Sequence, residues 1–155
     1  MKPIAWPILA SILTCFLPLY AGDLSLGLNY PGVGLKYGLS DHVSAELRMQ
    51  YDPDAQAYGL RGYWHWLGGG GRRLGLYSGL EADYVTFRHE DLSGPGYAVL
   101  GFCGVEYYVV SWLSVLLDVG PAWVGVYDPV SGVSAAGLEF VVNAGVYWYF
   151  MGVDR

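Results

Sequence analysis

From Gly22 onward the chain runs in short segments that alternate apolar and polar residues and break at turn formers. A period of two belongs to strands with one apolar and one polar face. The run from Val43 to Asp52 shows it without a fault. Val43, Ala45, Leu47, Met49 and Tyr51 share one face, and Ser44, Glu46, Arg48, Gln50 and Asp52 the other. The same reading gives strands at 23–30, 33–40, 57–67, 74–87, 97–109, 113–127 and 133–150, eight in all. Pro31-Gly32, Asp41-His42, Pro53 to Gln56, Gly68 to Arg73, Arg88 to Gly96, a turn near Ser111 and Asp128 to Gly132 separate them. Two blemishes remain: Ser78 falls on an apolar face, and Leu100 and Phe102 fall on a polar one.

Faces assigned from the apolar residues also sort the charges. Lys36, Glu46, Arg48, Arg61, Glu81, Asp83, Glu106, Asp118 and Glu139 all lie on the side opposite the aliphatic one. On the aliphatic side, following the chain up and down, Tyr30, Tyr51, Tyr58, Tyr84, Tyr97, Trp123 and Tyr127 collect at one rim. Trp64, Trp66, Tyr107, Trp148 and Phe150 collect at the other. Two aromatic girdles around an aliphatic band suit the two interfaces of a membrane. A soluble barrel of the lipocalin kind shows the same alternation with its faces exchanged, but gives no reason to sort aromatics into rings. A helical membrane protein is the other rival, since 97–127 and 133–152 are long and apolar enough to span. It would place Glu106, Asp118 and Glu139 in costly positions, whereas strands send all three into one lumen. The expected fold is all-β, an antiparallel up-and-down transmembrane β-barrel of about eight strands.

Composition narrows the setting. Hydrophobic residues make up 54% of the 155 and charged residues 14%, against about a quarter charged in water-soluble domains, so something other than water covers much of this surface. Met1-Lys2, an apolar stretch from Ile4 to Leu17 and Ala21 before Gly22 read as a cleavable secretion signal. Residues 1–21 are expected to be the signal peptide and 22–155 the barrel domain; a retained anchor and a lipoprotein attached at Cys15 are the alternatives. Cleavage removes Cys15 and leaves Cys103, so no intramolecular disulfide forms. It also removes Lys2, leaving seven basic against fourteen acidic residues, a balance that argues against nucleic acid as a partner.

The segment Asn143-Ala-Gly-Val-Tyr-Trp-Tyr-Phe150 resembles the final-strand assembly signal of outer-membrane barrels. With strand number and length, the mature chain resembles the small outer-membrane barrels of the OmpA and OmpW type. The resemblance implies a place in the bacterial outer membrane, contact with outer-membrane lipid, and engagement of the barrel-assembly machinery through the C-terminal strand. A monomer is expected. Met151 to Arg155 following the terminal Phe, and a first external turn as short as Pro31-Gly32, depart from the pattern.

An eight-stranded barrel has an interior just wide enough for side chains to fill. The nine inward charges are therefore expected to form a packed polar core, with Lys36 near Glu46 and Arg61 near Glu81. The alternative is a narrow path opened by exchange of charge partners, in which six acids against three bases favour cations. His42-Val43-Ser44 has the His-x-Ser spacing of outer-membrane lipid A deacylases, but lacks the residues that normally follow and an orienting acid. His65 is expected to face the lumen alone. His89 stands in a loop beside Glu90 and Asp91, and no convergent ligand set suggests a metal or cofactor. Asp52, Asp54, Glu90, Asp91 and Asp128 form an acidic external rim, solvated or shared with divalent cations. Gly68 to Gly71 with Arg72-Arg73 lacks the Lys-Ser or Lys-Thr and the helix of a phosphate loop. The expectation is a barrel without enzymatic activity that serves envelope structure or surface interaction. A conduit for small solutes or hydrophobic molecules is the alternative, and a lipid A-modifying enzyme a more distant one.

Overall fold

Alternating β-branched, aromatic and small residues favour pleated backbone, and every regular element described is a strand. The structure, a computed structural model, describes residues 22–30, 32–67, 73–89, 92–127, 129, 132 and 134–151. The expected signal peptide, Gly68 to Arg72, Glu90, Asp91 and Asp128 lie outside the described residues, as does the side chain of His89. The strands are β1 (Leu24–Asn29), β2 (Gly32–Gly38), β3 (Val43–Asp52), β4 (Ala55–Leu67), β5 (Leu74–His89), β6 (Leu92–Val110), β7 (Leu113–Tyr127) and β8 (Ser134–Met151). Each pairs antiparallel with its neighbours in sequence, and β1 closes on β8. The segments long enough to be spanning helices form β6, β7 and β8 instead.

Two predicted loops shrink. The segment 88–96 reads as a loop by composition, yet Ser93, Gly94, Pro95 and Gly96 pair with Arg88, Phe87, Thr86 and Val85. Once apolar pairs lower in the β5–β6 ladder set the register, each further pair adds bonds with little extra closure entropy. Pro53 to Gln56 contracts to the turn Pro53-Asp54, where the Asp54 amide donates to Asp52 Oδ1 at 3.3 Å. Pro121 lies within β7 and supplies no amide hydrogen. The paired register between β6 and β7 runs Leu100↔Ala122 and then Cys103↔Val119, with Gly101 and Phe102 passed over.

Register fixes the shape of the barrel. Stepping across paired residues from Ser25 leads to Lys36, Glu46, Arg61, Glu81, Leu100, Ala122 and Glu139. Ser25 itself pairs with Tyr149 of β8. The path thus returns ten residues away from its start, the shear of the barrel, and for eight strands this tilts each strand by about 40°. At that tilt each residue climbs about 2.5 Å along the barrel axis and each step to the next strand about 3 Å.

On this scale the outward aromatics form two rings. Trp64, Trp66, Tyr107, Trp148 and Phe150 encircle the lower rim. Tyr51, Tyr58, Tyr84, Tyr97 and Trp123 stand roughly 20 Å above them, close to the height of a barrel's apolar band. All are exposed on the outer face except Trp148, which is half-buried between neighbours. Leu35, Leu47, Leu60, Leu80, Val99, Leu117 and Val142 are exposed between the rings. Tyr30 and Tyr127 do not join the upper ring as expected. Because β1 has only six residues, Tyr30 stops roughly 7 Å short of the ring, while Tyr127 at the top of β7 rises well past it. Ser78, the polar residue on the apolar face, accepts a hydrogen bond from Trp66 Nε1 at 2.9 Å. This removes its unsatisfied hydroxyl from the band.

Candidate functional site: the charged lumen

Inward-facing residues from all eight strands fill the barrel in tiers. Strand parity aims them there, because a residue two positions along returns to the same face. Lys36, Glu46, Arg48, Arg61, Glu81, Glu106 and Asp118 are all buried, at 4% exposure or less. Asp83 is partly buried above them. Glu139 does not join them. It occurs where β8 has risen past the end of β1, and it is exposed with no ion pair among the described residues.

The lowest tier centres on Glu106, which accepts from Lys36 Nζ at 3.3 Å, from Ser114 Oγ at 2.6 Å and from the Tyr149 hydroxyl. Above it, Glu46 accepts from the hydroxyls of Tyr63 and Tyr147 and from Asn29 Nδ2 at 3.2 Å. Asp118 accepts from Arg61 Nη2 at 2.7 Å, Tyr77 Oη at 3.0 Å and Asn143 Nδ2 at 2.9 Å. Glu81 takes both Arg48 Nη1, at 2.9 and 3.1 Å, and the charge of Arg61, whose Nε lies 3.1 Å away but off the line a hydrogen bond needs. Phe102 covers the Arg61 guanidinium, its ring centroid 3.7 Å from Cζ. Arg61 is thus held by two carboxylates and an aromatic face. Interactions of this kind are strong where water is scarce, because the local dielectric is low.

Lys36 departs from the pairing expected of it. Its backbone is opposite Glu46 in the ladder, yet its ammonium reaches across the lumen to Glu106 on β6. Glu46 is already surrounded by hydroxyls and an amide, and the interior is narrow enough for a lysine to span. Arg61 meets Glu81 as expected and adds Asp118 on the far wall. Leu100 and Phe102, which blurred the polar face of β6, are buried inside the lumen. So are Tyr63, Tyr77, Tyr147 and Tyr149. Their role went unread in the sequence, although the signal was present: each shares its parity with the lumen carboxylates on its own or the neighbouring strand. Tyrosine can both fill volume and satisfy a buried carboxylate.

Near the lower mouth, Ser44 Oγ lies 2.9 Å from His65 Nε2. His65 is therefore not alone in the lumen; it also stacks with Tyr63, centroids 6.1 Å apart. His42, the histidine of the His-x-Ser spacing, is exposed and stacks on outward-facing Trp64 instead. The turn before β3 carries His42 away from Ser44. The serine–histidine pair that forms is different from the one the spacing suggested, and its serine is buried at 4% exposure.

No protein-family model matches the sequence, and no curated protein does. Among solved structures, the chain is similar to the N-terminal β-barrel domain of Pseudomonas aeruginosa OprF, with a TM-score of 0.50 and 19% identity over 83% of this chain and 95% of that one. In fold, then, the chain is a closed, eight-stranded, antiparallel up-and-down barrel of the transmembrane type, built like that OprF domain.

Proposed function

We propose that this chain is an integral protein of the bacterial outer membrane whose lumen is a packed polar core, with no catalytic site, and which serves envelope structure or surface interaction. The observation that carries the reading is the lumen itself. Glu46, Glu106 and Asp118 each accept from three different side chains, and Glu81 is held between two arginines. Arg61, Tyr77, Tyr147, Glu46 and Glu106 are each buried to 2% exposure or less, which leaves little room for a continuous water path. The two outer aromatic rings support insertion in a bilayer, with the rings at its interfaces. Export by a cleaved signal at residues 1–21, engagement of the assembly machinery through Asn143 to Phe150, and a monomeric state complete the proposal.

The experiment is reconstitution in planar bilayers beside outer-membrane fractionation and heat-modifiable gel migration. The expected result is an outer-membrane, heat-modifiable protein without discrete conductance, and Ser44→Ala and His65→Ala variants that leave the lipid A of expressing cells unchanged by mass spectrometry. A stable cation-selective conductance would replace the packed core with the conduit reading, which the excess of lumen acids over bases favours. A lipid A product that disappears with Ser44→Ala would make the chain an enzyme.

A further inference from the structure

The barrel wall is uneven in height, and the gap falls in one place. The β1–β2 hairpin ends at Tyr30, roughly 7 Å below the upper aromatic ring, while β8 runs on upward to Ser134. The β1–β8 register stops at Asn29↔Gly145, and one further bond, from the Tyr30 amide to the Ala144 carbonyl, closes it. In an antiparallel ladder this bond sets the parity of the edge. Ala136, Leu138, Phe140 and Val142 therefore turn both backbone N–H and C=O toward the place where β1 would continue, and among the described residues nothing pairs with them. By the same climb, Val142 and Phe140 sit at or below the upper aromatic ring, at the depth of hydrocarbon. Val142 is 66% exposed, whereas Val115 and Val119 on the outer face of the walled β7 are 42% and 43% exposed. On the inner face of the same edge, Glu139 is exposed and has no ion pair among the described residues.

An unpaired strand edge does not persist against lipid, since each unsatisfied backbone group costs several kcal/mol there. No described segment of the chain supplies the missing strand, and its described ends, Gly22 and Met151, lie at the opposite rim. Nor does a second copy supply it. In one membrane, two copies relate by an axis along the membrane normal, and two β8 strands each tilted by about 40° would then cross at about 80°. Strands at that angle do not pair. What remains is a strand from another polypeptide, which the edge accepts by backbone hydrogen bonding and selects by its two faces.

We propose that the upper edge of β8, Ala136 to Val142, is a docking site for an extended segment of another exported protein, which adds antiparallel as a further strand. Its outward side chains are apolar, matching Leu138, Phe140 and Val142. One inward side chain is a lysine or arginine facing Glu139.

The proposal rests on membrane insertion, which heat-modifiable migration checks separately. The full chain in vesicles of phosphatidylcholine alone is titrated with a fluorescent nine-residue peptide alternating valine and threonine, its central threonine replaced by lysine. Anisotropy is read against protein-free vesicles. Saturable binding is expected below about 1 mM, weakened at least about ten-fold by glutamate in place of that lysine, and likewise by N-methylation of the valine amides, which face β8. N-methylation of the threonine amides, which face away, is expected to change little. Phe140→Pro removes an amide that points to the free edge and not to β7, so it is expected to keep heat-modifiable migration and lose the peptide. Absence of saturable binding, or binding that ignores both N-methylation patterns and Phe140→Pro, would overturn the proposal. The second result would identify the gap as an apolar or water-filled notch open to lipids. Loss of heat-modifiable migration in the parent protein would instead refute the membrane reading.

Discussion

Arg61→Met removes the cation on which the middle of the lumen turns while keeping an unbranched side chain of similar reach. In the native barrel, Arg61 Nη2 donates to Asp118 at 2.7 Å, its Nε lies 3.1 Å from Glu81, and Phe102 covers its guanidinium. Breaking a buried pair by removing one partner costs about 3–5 kcal/mol, because the charge left behind has lost its compensation. Here the lower part of that range applies. Glu81 keeps Arg48, and Asp118 keeps the donors of Tyr77 and Asn143. The lost charge-assisted bond contributes about 1.5–3 kcal/mol and the lost aromatic contact about 1–2 kcal/mol. The expected loss is about 3–4 kcal/mol, or two to three orders of magnitude in the folding equilibrium. Reversible urea unfolding in vesicles, followed by tryptophan fluorescence and heat-modifiable migration, measures it. Adding Asp118→Asn to Arg61→Met neutralises the stranded carboxylate and is expected to recover about 1 kcal/mol or more, a sign that independent losses would not show. A loss below about 1 kcal/mol for the single variant, or further destabilisation by the second change, would refute the view that these charges compensate one another in a dry interior.

Two further predictions test the outer face and the wall. Leu60 is exposed about midway between the aromatic rings, so Leu60→Arg is expected to cost about 2–4 kcal/mol in vesicles, as for a cation at the bilayer midplane; the same measurement giving no change would place this surface in water. Gly104 on β6 sits where an added Cβ would come within 2.5 Å of both the Leu117 carbonyl and Asp118 Cβ. Gly104→Ala is therefore expected to destabilise by about 1–3 kcal/mol and to slow assembly into vesicles, read by the rate at which the heat-modifiable band appears.

Strand number, up-and-down order and the face of nearly every charge were legible in the order of residues, because side-chain direction in a strand follows parity alone. Lys36, Glu46, Arg61 and Asp118 could be aimed inward from a list of residues. Their partners could not. Which inward groups meet depends on the stagger, and a shear of ten residues in a barrel narrow enough for a lysine to cross sends Lys36 to Glu106 and joins Arg61 to Asp118. The same geometry brings Ser44 to His65 and leaves His42 outside, a pairing across the β3–β4 ladder that sequence spacing does not encode. Composition misjudged the segment 88–96, where ladder register overrode glycine and proline. Glu139 is the plainest case: its parity is that of the lumen, but only the tertiary structure shows that β8 has outrun β1 there. The wall that would have buried it is missing, so the same face that is core lower down is an open edge above.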